Sequence, residues 1–265
     1  MLKEFVQFYT TPSSRLARKM GFLHEAIAMS ARHQRCQQSW QPHFEQCQAA
    51  IRQAVSECTS FRHIVVLGAG SLNDIPLSFL SQTFASVTLV DMVFLKPARR
   101  QAAEYDNVTL LEADVSGCLA KVEQGGSVVE PPSLPGIEPE KVDCVVSLNL
   151  ATQLPLIPVR WLMDRFGLSE EKADAFGKAL IQAHLTYLNR FDGVKCLIAD
   201  REMREYDRSG RLTNQLDPAW DVPLPAYELA WDWEVIPFGE SSENAELRQK
   251  NRVGVSIWPS REEAV

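Results

Sequence analysis

The sequence predicts an α/β fold built on a mostly parallel sheet, and three observations carry that expectation. Apolar runs at 63–68 ("HIVVLG"), 86–91 ("SVTLVD") and 107–114 ("NVTLLEAD") alternate with segments of about ten residues that have helical character. The runs are near-continuously apolar rather than alternating, as expected of strands that helices cover on both faces. Two later runs, "WDWEVIPF" at 231–238 and "NRVGVSIWP" at 251–259, have no segment of crossover length and helical pattern between them. They are expected to pair antiparallel, as a hairpin closing one edge of the sheet.

Composition bounds the rest. With 265 residues and 45% hydrophobic content the chain can bury a full core. Its longest apolar runs, such as Ile64 to Leu67, fall far short of the ~20 residues of a membrane span. The opening "MLKEFVQFYTTPSSR" lacks the apolar stretch and cleavage site of a secretory signal, so a cytoplasmic protein is expected. Six scattered cysteines without a CxxC pair suit a reducing compartment. Cys36, Cys47 and Cys58 recur every eleven residues with His33 and His43 nearby, but they read as small buried residues and no metal site is expected. The net charge of -7 argues against a general nucleic-acid binder. Residues 1–36 nevertheless carry Lys3, Arg15, Arg18, Lys19, Arg32 and Arg35 against Glu4 and Glu25, a local excess of +4. Such a segment can steer an anionic ligand, dock on an acidic body, or simply be a solvated face.

The elements follow in order. The first sixty residues read as helices, with Leu16, Met20, Leu23 and Ile27 on one apolar stripe and Pro12-Ser13-Ser14 as a start signal. Trp40-Gln41-Pro42 is expected to interrupt the helical run, and a second helix to cover His43 to Cys58. After the first strand, "DIPLSFLSQTF" reads as a helix with Pro76 in its first turn, where a missing amide proton does no harm. "KPARRQAAEYD" is the next helix. The Pro-rich 125–141 segment reads as a surface loop. "VDCVVSLNLATQLPL" begins as a fourth buried strand. Residues 168–191 form a long helix capped by Ser169, with Phe176, Leu180, Ala183 and Tyr187 buried. "GVKCLIAD" at 193–200 is a fifth strand.

In an open parallel sheet ligands lie beyond the carboxyl ends of the strands, so the residues just after each strand are informative. Gly68-Ala69-Gly70-Ser71 follows the first strand, and glycines there let the backbone turn tightly and approach a ligand. Asp91 ends the second, 23 residues beyond Gly68, where a carboxylate can accept both hydroxyls of a ribose. Asp114 follows the third. Ser147, Asn149 and Gln153 lie at and beyond the fourth.

These residues resemble the class I S-adenosylmethionine-dependent methyltransferases. The matches are "VVLGAGS" for the family's first motif, Asp91 in "LVDM" for its ribose-binding acid, "EADV" with Asp114 for the acid near the adenine amino group, and "DCVVSLNLATQLP" for its fourth strand and the loop beyond. The resemblance covers residues 60–260. It implies a Rossmann-like, mostly parallel seven-stranded sheet with an antiparallel C-terminal hairpin, in a domain over 61–265 behind a helical N-terminal cap over 1–60. It further implies S-adenosylmethionine as cofactor, bound by Gly68, Ala69, Gly70, Ser71, Asp91, Met92, Asp114, Val115 and Asn149, and a small-molecule acceptor. The family often has an acid where Val65 and Val66 stand and a third glycine where Leu72 stands. The dinucleotide fingerprint would require glycine at Asn73. An NAD(P)-dependent oxidoreductase and a non-catalytic binding protein of the same fold are the alternatives.

Methyl transfer mainly requires that nucleophile and methyl be held in line, so a dedicated base is optional. Asn149 is the candidate for a polar group facing the reacting centre. His184, mid-helix on an apolar segment, reads as a core histidine. The N-terminal helices, with Tyr9, Arg15 and Trp40, are candidates for a lid. Trp220, Tyr227, Trp231 and Trp233 can wall a small-molecule site or pack into the core.

Overall fold

The computed structural model describes residues 2–241 and 245–259, without the side chains of residues 2 and 3. Met1, residues 260–265 and the side chain of Lys3, which fall within the expected domains and basic segment, lie outside the described residues. The chain opens with α1 (Leu2–Thr10), α2 (Arg15–Met20), α3 (Phe22–Arg35) and α4 (Gln37–Ser56). There follow β1 (His63–Leu67), α5 (Leu77–Thr83), β2 (Ser86–Asp91), α6 (Lys96–Ala102), β3 (Val108–Glu112), α7 (Leu119–Val122) and β4 (Cys144–Leu148). The last part comprises α8 (Leu156–Phe166), α9 (Glu170–Leu188), β5 (Val194–Tyr206), β6 (Leu212–Leu216), β7 (Leu229–Ile236) and β8 (Arg248–Trp258).

Seven strands lie in the order β3-β2-β1-β4-β5-β8-β7, with β8 antiparallel to both neighbours and the other contacts on this path parallel. The apolar runs lead one to expect this mostly parallel sheet with its C-terminal hairpin, and the resemblance implies its Rossmann-like form with seven strands. The count differs by one. An eighth strand, β6, pairs antiparallel with the outer half of β5, which runs on to Tyr206 instead of ending near Asp200. β6 is exposed along its whole length and alternates too little to be read as a strand.

Both faces of the sheet are covered, which is why β1 and β4 are apolar without interruption. Ile64, Val66 and Val146 pack with α4, α5 and α6 on one face. Val65, Leu67 and Val145 pack with Tyr187, Leu188 and Phe191 of the α9 region on the other. The Pro-rich segment is irregular as expected but is more than surface: Leu134 and Ile137 are buried under that second face.

The N-terminal helices break elsewhere than expected. The stripe Met20, Leu23, Ile27 is buried, yet Gly21 at φ +95 splits it into α2 and α3, its amide closing on Arg18 O. Only glycine takes such a left-handed cap without steric cost. Ser14 caps α2 by accepting the Ala17 amide, 3.0 Å, as its position predicts. The second break falls at Cys36, while Pro42 sits inside α4 as its sixth residue, close enough to the helix start that its missing amide costs one intrahelical bond. Pro76 is at the N-cap of α5 rather than in its first turn. Helix α8, which no clear periodicity announces, buries only the short stripe Pro158, Val159, Leu162. Ser169 stands at the N-cap of α9 without a side-chain capping bond.

Basic side chains of the N-terminal segment dock it on the acidic body. Lys19 pairs with Glu123 at 2.5 Å and Arg35 with Glu240 at 2.6 Å, while Arg18 donates to Phe8 O and Thr11 O. No described helix is long and apolar enough to cross a membrane.

Candidate functional site

The chain runs outward from β1 to β2 and β3, then returns to place β4 on the other side of β1. At that switch point, beyond the carboxyl ends of the strands, lies a cavity of about 280 Å³. All nine residues expected to bind the cofactor are on its wall: Gly68, Ala69, Gly70 and Ser71 after β1, Asp91 and Met92 at β2, Asp114 and Val115 after β3, and Asn149 after β4.

The glycine turn and the second strand are tied together. The Gly68 and Ala69 amides both donate to Val90 O, at 2.9 and 3.1 Å, and the Gly70 amide donates to Asp91 Oδ2 at 2.9 Å. Gly68, at φ +83, leaves no room for a side chain: a Cβ would sit 2.7 Å from Leu148 O. Asp91 Oδ1 also accepts the Val93 amide at 3.3 Å. Burial raises the Asp91 carboxyl to about 6, because its charged form loses water that these amides only partly replace. Asp114 is held by its own loop, accepting from Ser116 N and Oγ through one oxygen and from the Leu119 amide at the start of α7 through the other.

The leucine at 72, where a third glycine was in question, has a conformational explanation. Leu72 adopts φ +63, the left-handed region that glycine enters freely, and its side chain is buried. Left-handed backbone costs a branched residue ~1–2 kcal/mol, which burying a leucine offsets at ~1.5–3 kcal/mol. After Gly70 the backbone does not turn straight into a helix. Residues 71–76 intervene, and α5 begins only at Leu77 behind a proline that has no amide to offer. The cradle of free helix amides that holds a pyrophosphate is therefore missing here.

Asn149, also left-handed at φ +49, stands at a junction that the sequence does not announce. Its Nδ2 donates to Asp74 Oδ2 at 3.2 Å and lies 3.2 Å from His43 Nε2 and 3.8 Å from Cys47 Sγ; its Oδ1 is buried without a partner. His43, Cys47 and Asp74 bring one ligand atom each within 4.8 Å of one another, a spacing that suits a metal ion. The tautomer of His43 opposes that use. Trp231 Nε1–H donates to His43 Nδ1 at 3.1 Å and Asn149 Nδ2 faces His43 Nε2 at 3.2 Å, so both ring nitrogens meet a donor; the single lone pair of the neutral ring serves the indole, which can only donate. A ligating imidazole needs the reverse arrangement, with a lone pair toward the metal and a proton donated behind it. Burial holds His43 neutral, its pKa depressed to about 3, and pushes the Cys47 thiol well above its usual range. Burial also raises Asp74 to about 6.

Of the three residues expected in an N-terminal lid, Trp40 lines the cavity and Tyr9 and Arg15 do not. α3 contributes Phe22, Glu25, Met29 and His33 to the wall, and Trp40 joins from α4, its indole donating to Val235 O at 3.1 Å. Of the four later aromatics only Trp233 lines the cavity, stacked on His43 with ring centroids 3.8 Å apart. Trp220 packs against Gly177, and Tyr227 is exposed beside Arg201. Ser147 and His184 form a buried pair, Oγ to Nε2 2.8 Å, away from the wall. Gln153 is on the wall. Among the described residues no lining side chain is Lys or Arg, whereas Glu25, Asp74, Asp91 and Asp114 all line it.

No known family profile matches the sequence, and no curated protein matches it. Among solved structures, the N-methyltransferase NodS from Bradyrhizobium japonicum WM9, in complex with S-adenosyl-L-homocysteine, is 9% identical, with 79% of this chain and 86% of that chain covered and a TM-score of 0.36. The Burkholderia thailandensis 1,6-didemethyltoxoflavin-N1-methyltransferase is 13% identical, covering 88% and 89%, with a TM-score of 0.35. The Haemonchus contortus phosphoethanolamine N-methyltransferase 1 is 14% identical, covering 83% of this chain and 44% of its own, with a TM-score of 0.32. Similarities of this size assign no chemistry, which rests on the site itself.

Proposed function

We propose that the protein is an S-adenosylmethionine-dependent methyltransferase acting on a small molecule in the cavity at the β1/β4 switch point. The observation that carries the reading is Asp91: a carboxylate on the cavity wall at the end of β2, bonded to the Gly70 amide, in a pocket with four acids and no Lys or Arg. A pyrophosphate would meet repulsion there and no helix amides, whereas a cofactor with a sulfonium and an ammonium is matched in charge. The residues fit such a group. Gly68 and Gly70 offer backbone without side chains, flanked by the small Ala69 and Ser71, for its amino-acid end, Asp91 offers carboxylate oxygens for the ribose hydroxyls, and Asp114 with Val115 and Met92 would flank the base.

When bound, S-adenosylmethionine supplies a methyl group on a positively charged sulfur, activated toward a nucleophile. The protein's own task is then to orient and to exclude water. Asn149, fixed through Asp74, stands at the end of β4 where it can face the reacting centre. In this reading residues 1–60 act as a cap on the catalytic domain over 61–265. The six cysteines, free and mostly buried, suit a cytoplasmic setting.

Calorimetric titration with S-adenosylmethionine, S-adenosylhomocysteine and NAD(P) tests the proposal. Binding of the sulfur nucleotides, lost in Asp91→Ala, is expected. Binding of NAD(P) alone would replace it with the oxidoreductase reading, and binding of neither would leave a methyltransferase-like fold used for other contacts.

A further inference from the structure

The acids of the cavity exceed what the cofactor reading uses. Asp91 is matched to a ribose and Asp114 is already occupied by three donors of its own loop. Of the other two, Glu25 is exposed on α3, and Asp74, half-buried, accepts from the Asn149 amide. Beside it stands an aromatic wall. Trp233 stacks on His43 at 3.8 Å and 7°, Trp40 meets Trp233 edge-on at 5.3 Å, and His33 lies edge-on to Phe44 at 5.0 Å. We infer that the methyl acceptor is an amine, its nitrogen held at the Asp74 carboxylate against the faces of this wall; the inference rests on the cofactor reading above.

Charge and proton accounting both point this way. Aromatic faces with a nearby carboxylate and no competing cation form a site for an amine nitrogen and its product ammonium. The two imidazoles do not add positive charge, since burial lowers the pKa of both His33 and His43. Neither imidazole is a ready base. Trp231 donates to His43 Nδ1 and Asn73 Nδ2 to His33 Nδ1, 3.3 Å, which leaves the proton of each ring on Nε2. An alcohol acceptor would need such a base, because a neutral hydroxyl is a weak nucleophile. An amine held at Asp74 as an ammonium first gives up one proton to solvent, and the neutral amine so formed needs no further base. Its lone pair forms the N–C bond as the methyl's C–S bond breaks, the bonding pair passes to sulfur, and the positive charge moves from sulfur to nitrogen. A carboxylate at Asp74 is then a fixed negative charge where positive charge develops.

The test uses three probes of similar size, each with a phenyl ring for the aromatic wall: 2-phenylethylamine, 2-phenylethanol and phenylacetate. They are titrated at pH 8 into the full chain, with and without saturating S-adenosylhomocysteine, by calorimetry and tryptophan fluorescence. The amine should bind at least tenfold more tightly than the alcohol, with phenylacetate weakest. Asp74→Asn should erase the amine's advantage and leave S-adenosylhomocysteine affinity within about twofold, while Asp74→Glu should retain the advantage. Equal binding of alcohol or phenylacetate, or an amine preference that survives Asp74→Asn, overturns the inference. So does a loss of S-adenosylhomocysteine affinity in Asp74→Asn, which would assign that carboxylate to the cofactor's own ammonium. Amine preference without any binding of the sulfur nucleotide overturns the cofactor reading and supports the amine site.

Discussion

Replacing Asp91 by Asn separates a residue kept for binding from one kept for stability. In the free protein burial raises the Asp91 carboxyl from its ordinary 3.8 to about 6. Between those values the native state holds the proton more tightly than the unfolded chain, so this group's contribution to stability falls as pH rises through that window. Above pH 6 the charged form costs at most about 3 kcal/mol, at ~1.36 kcal/mol per pKa unit. Asparagine removes that cost. It keeps one acceptor for the Gly70 or Val93 amide and gives up the other, a loss of ~1 kcal/mol. At pH 8 the variant should therefore be about 1–2 kcal/mol more stable, a melting temperature higher by a few degrees for a chain of this size.

Binding should move the opposite way. Two ribose hydroxyls bonded to a carboxylate are worth ~1.5–3 kcal/mol each, and asparagine can serve only one of them. S-adenosylhomocysteine affinity should fall by roughly 100-fold, a loss of about 3 kcal/mol. In the wild type, bound hydroxyls favour the charged carboxylate, so affinity should weaken as pH falls through about 6, and the asparagine variant should lose that dependence. Differential scanning calorimetry and isothermal titration on the same preparations provide both numbers. A variant that melts several degrees lower while binding normally would refute the reasoning, for Asp91 would then be a structural acid of the glycine turn.

Three further outcomes follow from other parts of the fold. Asp143, buried at the amino end of β4, resists burial because Arg62, Ser60 and the amides of Arg62 and His63 hold its carboxyl at about 2; its folded pKa is depressed, so it stabilises fully above pH 4 and loses that effect as pH falls through 2. Asp143→Asn should cost about 2 kcal/mol at pH 7 and progressively less in acid, read from urea midpoints at several pH values. Gly177→Ala would place a Cβ 2.3 Å from the Trp220 ring, so chemical denaturation should show a loss of ~1–3 kcal/mol despite alanine's better helix propensity; no loss would mean that Trp220 is free to move. Trp231→Phe removes the donor that fixes the His43 tautomer, and Co²⁺ titration should then show thiolate-to-metal absorption that the wild type lacks; a wild type with that band would refute the tautomer assignment.

The sheet and the cofactor side of the candidate site were legible because each signal is local. A parallel strand covered on both faces must be apolar throughout, and the residue that ends it stands at the sheet's carboxyl edge, so Gly68, Asp91, Asp114 and Asn149 could be placed from the runs before them. The breaks in the N-terminal helices were harder. Pro42 carries a strong breaking signal but sits where the helix spends little on it, while Gly21 interrupts a stripe whose burial continues unbroken across it. Strand β6 escaped because an exposed ribbon needs no apolar face, and α8 because it buries only three side chains.

The acceptor side was not legible for a different reason. His43 and Trp40 come from α4, Asp74 from the turn before α5, Asn149 from the end of β4, and Trp231 and Trp233 from β7. None of these has a neighbour in sequence that explains it. Trp231 and Trp233 are two apart on one strand, so they share a face, and that alternation is equally consistent with ordinary core packing. What distinguishes them is the indole N–H of Trp231, which occupies Nδ1 of an imidazole drawn from 188 residues away, an imidazole that burial keeps neutral. The chemistry of the pocket thus depends on a contact that only the assembled fold specifies. The two strands of the terminal hairpin therefore do more than close the sheet: the same β7 that pairs with β8 supplies the indole that occupies His43 Nδ1 behind the cavity wall.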